Sequence, residues 1–111
     1  MATFTEKAVI QVKGGASVVM PEGNWKITDA HAVLTAAVAG VPVLKVTKES
    51  DDVCTGPVTA DGTDLADTDP DKSVVRWSAI DDEKVSITQG DTIAVTATNC
   101  ECDVFISICR T

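Results

Sequence analysis

Lys84-Val85-Ser86-Ile87-Thr88-Gln89-Gly90-Asp91-Thr92-Ile93-Ala94-Val95-Thr96-Ala97-Thr98 is the stretch that decides the fold. Val85 and Ile87, then Ile93, Val95 and Ala97, alternate with polar or small residues, and a period of two places one residue class on each face of a strand. Gln89-Gly90-Asp91 separates the two runs and supplies a tight reversal or the opening of the second strand. The pattern predicts an antiparallel β-structure with one face turned to a core.

The same period extends outward in both directions. Towards the C-terminus, Val104, Ile106 and Ile108 share one face of a closing strand from Asp103 to Arg110, with Phe105 and Cys109 on the other face. Towards the N-terminus, Val75, Trp77 and Ala79 share a face within Val74–Ile80, and Asp81-Asp82-Glu83 forms a charged turn. Ala8, Ile10 and Val12 alternate in a first strand closed by Gly14-Gly15. That makes residues 1–15 either an arm that adds a strand to a neighbour or an edge strand of the chain's own sheet. A short strand, Ala16 to Met20, ends at the turn-rich Pro21-Glu22-Gly23-Asn24.

The segment from Trp25 to Ala39 reads two ways. Ile27, Ala30, Leu34 and Val41 fit a helical spacing, with Asp29 as a candidate N-cap, whereas Ala30, Ala32, Leu34, Ala36 and Val38 alternate. A strand is preferred over residues 29–39, because an Ala39-Gly40 turn followed by Val41–Thr47 would then form a hairpin. From Glu49 to Asp71 lie eight of the seventeen acidic residues, interspersed with Gly56, Pro57, Gly62 and Pro70. This part is expected to be a long acidic loop, 49–71, with one short strand near Val58–Ala60. The whole is expected to be a single-domain, all-β, antiparallel β-sandwich or barrel of about eight strands, spanning residues 16–111.

Composition narrows the function. A chain of 111 residues has room for one modest core, and with two Trp, two Phe and no Tyr that core must be filled by Val, Ile, Leu and Ala. A net charge of −8 with dispersed Lys and Arg argues against nucleic acid as a partner. Met1–Lys7 lacks the apolar core of a signal peptide, so synthesis in a cytoplasm is expected. The apolar stretch Ala30–Val46 is shorter than the roughly 20 residues of a membrane span and is broken by His31, Gly40, Pro42 and Lys45.

Four groups of residues bear on chemistry. Asp61, Asp64, Asp67 and Asp69 are dense enough to suggest Ca²⁺, although no Glu closes the run as in an EF-hand and Pro70 interrupts it, so a solvated loop is preferred. Cys54, Cys100, Cys102 and Cys109 permit disulfides, with Cys54 to Cys100 or Cys102 the pairing to test; the one-residue spacing of Cys100 and Cys102 fits structural zinc poorly, and free thiols are the default without an export signal. His31 is the only histidine, lies among small residues, and has no nucleophile elbow to serve, which makes an enzyme the weakest class. A carbohydrate platform needs exposed aromatics, and Trp25 and Trp77 both alternate in phase with core residues.

The order of these pieces carries a resemblance. Pro21-Glu-Gly-Asn-Trp25-Lys-Ile-Thr28 before a long Ala-rich strand, then Gly40-Val-Pro-Val-Leu-Lys-Val-Thr47, then Val85-Ser-Ile-Thr-Gln-Gly-Asp-Thr-Ile-Ala-Val95 and a closing Val104-Phe-Ile-Ser-Ile108, resembles the small jelly-roll or β-sandwich proteins that tailed bacteriophages place on their capsids or fibres. The resemblance covers the chain from about Val19 onward. It implies a capsid decoration, or cement, protein: a homotrimer bound to the major capsid protein of a virion, with no catalytic residues and no cofactor. A carbohydrate- or receptor-binding module of a fibre or adhesin is the alternative it leaves.

Overall fold

In the computed structural model, which describes residues 7–20 and 22–111, the chain forms nine strands: β1 (Lys7–Lys13), β2 (Ser17–Val19), β3 (Asn24–Leu34), β4 (Val43–Lys48), β5 (Asp51–Thr59), β6 (Val74–Ile80), β7 (Ser86–Thr88), β8 (Thr92–Thr98) and β9 (Cys102–Arg110). Every ladder is antiparallel, and the strands run in the order β1-β9-β3-β6-β5-β4-β8-β2, with β7 also paired to β3. The all-β antiparallel architecture expected from the alternation is present, in a sandwich-like sheet that nearly closes into a barrel.

Closure runs through the chain itself, because β1 and β2 stand at opposite ends of the strand order and are joined by Gly14–Ala16. Gly14 N–H donates to the Cys102 carbonyl at 2.8 Å, Gly15 N–H to the Val95 carbonyl at 3.0 Å, and Val95 N–H to the Ala16 carbonyl at 3.0 Å. The connection thus stitches β9 to β8. A Cβ at Gly14 would stand 3.1 Å from Ala97 Cβ and 3.2 Å from Cys102 Sγ, so the seam is closed by a residue without a side chain.

The inward phases of the strands meet in one apolar core. Val12, Trp25, Ile27, Ala30, Ala32, Leu34, Leu44, Val46, Val75, Trp77, Val85, Ile87, Ile93, Val95, Val104, Ile106 and Ile108 are all buried. Ala79, expected on the face of Val75 and Trp77, is exposed, because β6 leaves the core towards its end. Val85–Thr98 alternates as expected, yet its two halves do not pair with each other: β7 joins β3, and β8 joins β4 and β2. The Gln89-Gly90-Asp91 turn is a crossing from one side of the core to the other. Asp91 Oδ2 accepts the Thr88 N–H at 2.9 Å, and Gly90 N–H and the Asp91 carbonyl bond Met20.

Two expectations need correction, and a third leaves two readings open. Residues 29–39 are strand only to Leu34, and no hairpin forms at Ala39-Gly40: β3 pairs β9, β6 and β7, while β4 pairs β5 and β8. The two competing periodicities arise from a β-bulge between Ile27 and Asp29, which shifts the inward phase from Trp25/Ile27 to Ala30/Ala32/Leu34. Second, much of the expected acidic loop 49–71 is regular: β4 turns at Glu49-Ser50 straight into the nine-residue β5, leaving a loop from Ala60 to Ser73. Third, the first strand belongs to the chain's own sheet, pairing β9 from Lys7↔Cys109 to Lys13↔Asp103. Residues 1–6 of the arm and Pro21 lie outside the described residues.

Candidate functional site

The outer face of β1, β9, β3 and β6 is built by register. Successive rungs across the ladders read Lys7–Cys109–Lys26, Val9–Ser107–Asp29, Gln11–Phe105–His31–Arg76 and Lys13–Asp103–Val33–Val74. These are the outward phases of strands whose inward phases fill the core, so their position follows from alternation plus the β3 bulge. Val9 is 63% exposed and Val74 39%, and Phe105, His31 and Val33 are half-buried. The His31 ring stacks on Phe105 with centroids 5.2 Å apart and planes at 20°. Arg76 pairs with Asp29 at 3.4 Å. Lys7 and Lys26, at the far end of the face, have no acidic side chain within ion-pair distance among the described residues.

At the other end of β3 the Ala60–Ser73 loop is held in place. Its Leu65 is buried and bonds the Pro57 carbonyl through its N–H at 2.9 Å; Lys72 N–H bonds the Leu34 carbonyl at 2.8 Å, and Leu34 N–H the Ser73 carbonyl at 2.9 Å. Val38 N–H donates to the Asp69 carbonyl and Gly40 N–H to Asp67 Oδ1, both at 2.9 Å, which ties the loop to residues 35–42.

Of the four aspartates singled out for Ca²⁺, three have their carboxylates engaged separately and the fourth, Asp64, is held through its backbone. Asp61 accepts the hydroxyls of Thr59 and Thr63, bonds that hold its carboxyl below the usual carboxylate range. Asp67 binds Gly40, Asp69 Oδ2 accepts the Ala66 N–H at 2.9 Å, and Asp64 makes a backbone bridge with Val58. Among the described residues no group of three or more His, Cys, Asp or Glu is gathered as a metal would require. An open cleft of about 280 Å³ beside the loop is lined by Thr59, Asp61, Asp69, Pro70, Ser73 and Val74 among others.

Cys54, Cys100, Cys102 and Cys109 are all free thiols, so the Cys54 pairing is not formed. Burial pushes Cys54 and Cys102 up to about 11 and raises Cys100, the opposite of what a nucleophilic thiolate needs. Both tryptophans are in the core: Trp77 donates its indole N–H to the Leu44 carbonyl at 3.0 Å, and Trp25 lies under the Arg110 guanidinium, 5.5 Å from the ring centroid. Neither indole is a platform for a sugar. What the sequence reading missed is the outer face itself, whose advance signals were apolar residues in outward strand phases, Phe105 of β9 together with Val9, Val33 and Val74.

No protein-family model matches the chain, and neither a curated protein nor a solved structure does.

Proposed function

We propose that this protein is a structural component of a phage virion, bound as a homotrimer to the outside of the capsid shell through contacts with the major capsid protein. The observation that carries the proposal is the outer face of β1, β9, β3 and β6, where Val9, Phe105, Val33 and Val74 put apolar area at the surface between basic residues. A rigid sheet with an exposed apolar centre and a charged rim is suited to docking on protein. The resemblance of the ordered sequence segments to capsid decoration proteins supports the same reading, as does the burial of both indoles, which leaves the carbohydrate-binding alternative without a tryptophan platform.

The test is density-gradient purification of the phage particles whose genome carries the gene. A decoration protein travels with intact, DNA-filled shells in a constant ratio to the major capsid protein and rebinds shells from which it has been stripped. Recovery only in the soluble fraction, with no rebinding to stripped shells, overturns the proposal.

A further inference from the structure

We propose that the Ala60–Ser73 loop of one copy docks on the outer face of β1, β9 and β3 in the next copy, with its aspartates at Lys7 and Lys26. The contact is head-to-tail and repeats around a closed ring. This deepens the shell-binding reading above and rests on it for the number of copies, three.

The argument begins with charge. At a net charge of −8 two copies repel each other, so a self-contact must bring unlike charges together locally. The chain segregates its charge in a way that allows this. The loop carries Asp61, Asp64, Asp67, Asp69 and Asp71 against the single Lys72. On the outer face Arg76 is ion-paired with Asp29, and Lys13 has Asp103 opposite it in register, whereas among the described residues Lys7 and Lys26 have neither an ion pair nor an acidic residue opposite them.

Distance then rules out an internal solution. Lys26 and Leu34, the residue that bonds the loop, are eight positions apart on β3, or roughly 25 Å at the rise of a strand. The loop is stitched to that end through Leu65, Lys72, Val38 and Gly40, so it cannot swing back to its own Lys7 and Lys26. Complementary charges that cannot meet within a chain can meet between chains. Between them lie Val9 and Phe105, apolar area that such a contact would cover, and the loop's internal bonds mean little ordering remains to be done on docking. Two different surfaces in contact make a heterologous interface, which either closes into a ring or grows without limit.

Charge reversal tests this, with mass read by sedimentation equilibrium in about 20 mM and about 500 mM NaCl. Lys7→Glu/Lys26→Glu takes the net charge from −8 to −12, and Asp64→Lys/Asp71→Lys takes it from −8 to −4, each reversal changing it by two. Were association governed by net charge alone, the second variant would associate more strongly than the wild type. The proposed interface instead predicts that both variants weaken association by about tenfold or more, that salt weakens the wild type, and that the quadruple variant, back at −8, regains it. All four positions are exposed, and an unchanged thermal midpoint verifies folding.

A wild type that stays monomeric in low salt overturns the interface, and so does a quadruple variant that fails to recover. Unchanged oligomer mass in both double variants also overturns it while leaving shell decoration standing. A salt-sensitive trimer, restored in the quadruple variant but absent from shells, supports the interface and removes shell decoration.

Discussion

At the scale of single residues, Trp77 and the buried cysteines carry the sharpest consequences. The β4–β5 ladder ends at Val46↔Cys54, and beyond that point the Trp77 indole supplies the hydrogen bond taken by the Leu44 carbonyl. Trp77→Phe keeps most of the apolar filling and leaves that carbonyl without its partner, a loss of about 1–3 kcal/mol. In a thermal melt it is expected to lower the midpoint further than Trp25→Phe, since the Trp25 N–H reaches the Glu22 carbonyl only at 3.4 Å. An equal shift for the two would show that ring volume, not the hydrogen bond, sets the cost.

The thiols give a pH dependence of definite sign. Cys54 and Cys102 are held up to about 11 by burial, with the charge of Asp29 adding at Cys54 and those of Cys100 and Asp103 at Cys102. In the unfolded chain a thiol ionises near ~8.5. Above that pH the unfolded state has released protons that the folded state retains, so stability is intact below it and falls as pH climbs towards 11. Urea midpoints measured in reductant should drop between pH 9 and 11, and Cys54→Ala/Cys102→Ala should flatten that drop. At neutral pH both thiols should resist maleimide until denaturant is added.

At the scale of elements, the β4–β5 hairpin shows why part of the fold was hard to read. Glu49 and Ser50 both have positive φ, 49° and 72°, as a two-residue turn of the I′ type demands, but neither is the Gly, Asn or Asp that usually marks one. Glu49 is retained by its side chain, which accepts the Thr92 N–H. Ser50 has no such compensation among the described hydrogen bonds, so Ser50→Gly is expected to stabilise the protein by up to about 1 kcal/mol, visible as a midpoint higher by a few degrees. Gly56 and Pro57 hid β5 for a related reason. Gly56 has a φ of 68° and a Cβ there would collide with Ser78 Oγ, while Pro57 lies past the end of the β4 ladder, where β5 is an edge. Gly56→Ala should therefore cost about 1–3 kcal/mol by strain and collision together, read as a lower urea midpoint. A neutral result would mean that the kink is not required.

At the scale of the whole molecule, the principal extents of 50 × 28 × 22 Å describe an elongated body with its acidic loop near one end of β3 and Lys7 and Lys26 near the other. Stability and the proposed self-contact meet at the Gly14–Ala16 seam, which joins the ends of the strand order beside β1, the outermost strand of the outer face. Gly14→Val is expected to open the seam by pushing against Ala97 and Cys102, lowering the thermal midpoint and weakening any self-association that depends on the position of β1. Loss of stability with unchanged association would place the interface elsewhere.

Sequence alone determined the class of structure and the inward set of several strands. Val85 and Ile87, Ile93 and Val95, and Val104, Ile106 and Ile108 are buried as their alternation required, because a side-chain period of two is a local property of extended backbone. It also located both indoles, since their phase matched that of their apolar neighbours. Which strands pair was decided only in three dimensions. Alternation is the same whether Thr88 and Thr92 belong to one hairpin or to opposite sides of a core, and the bulge at Thr28 changes phase without changing composition. The outer face was equally hidden, for Lys7, Cys109 and Lys26 are neighbours only because two ladders on β9 share one register. Alternation assigns each side chain to a face; long-range pairing decides which faces become one surface.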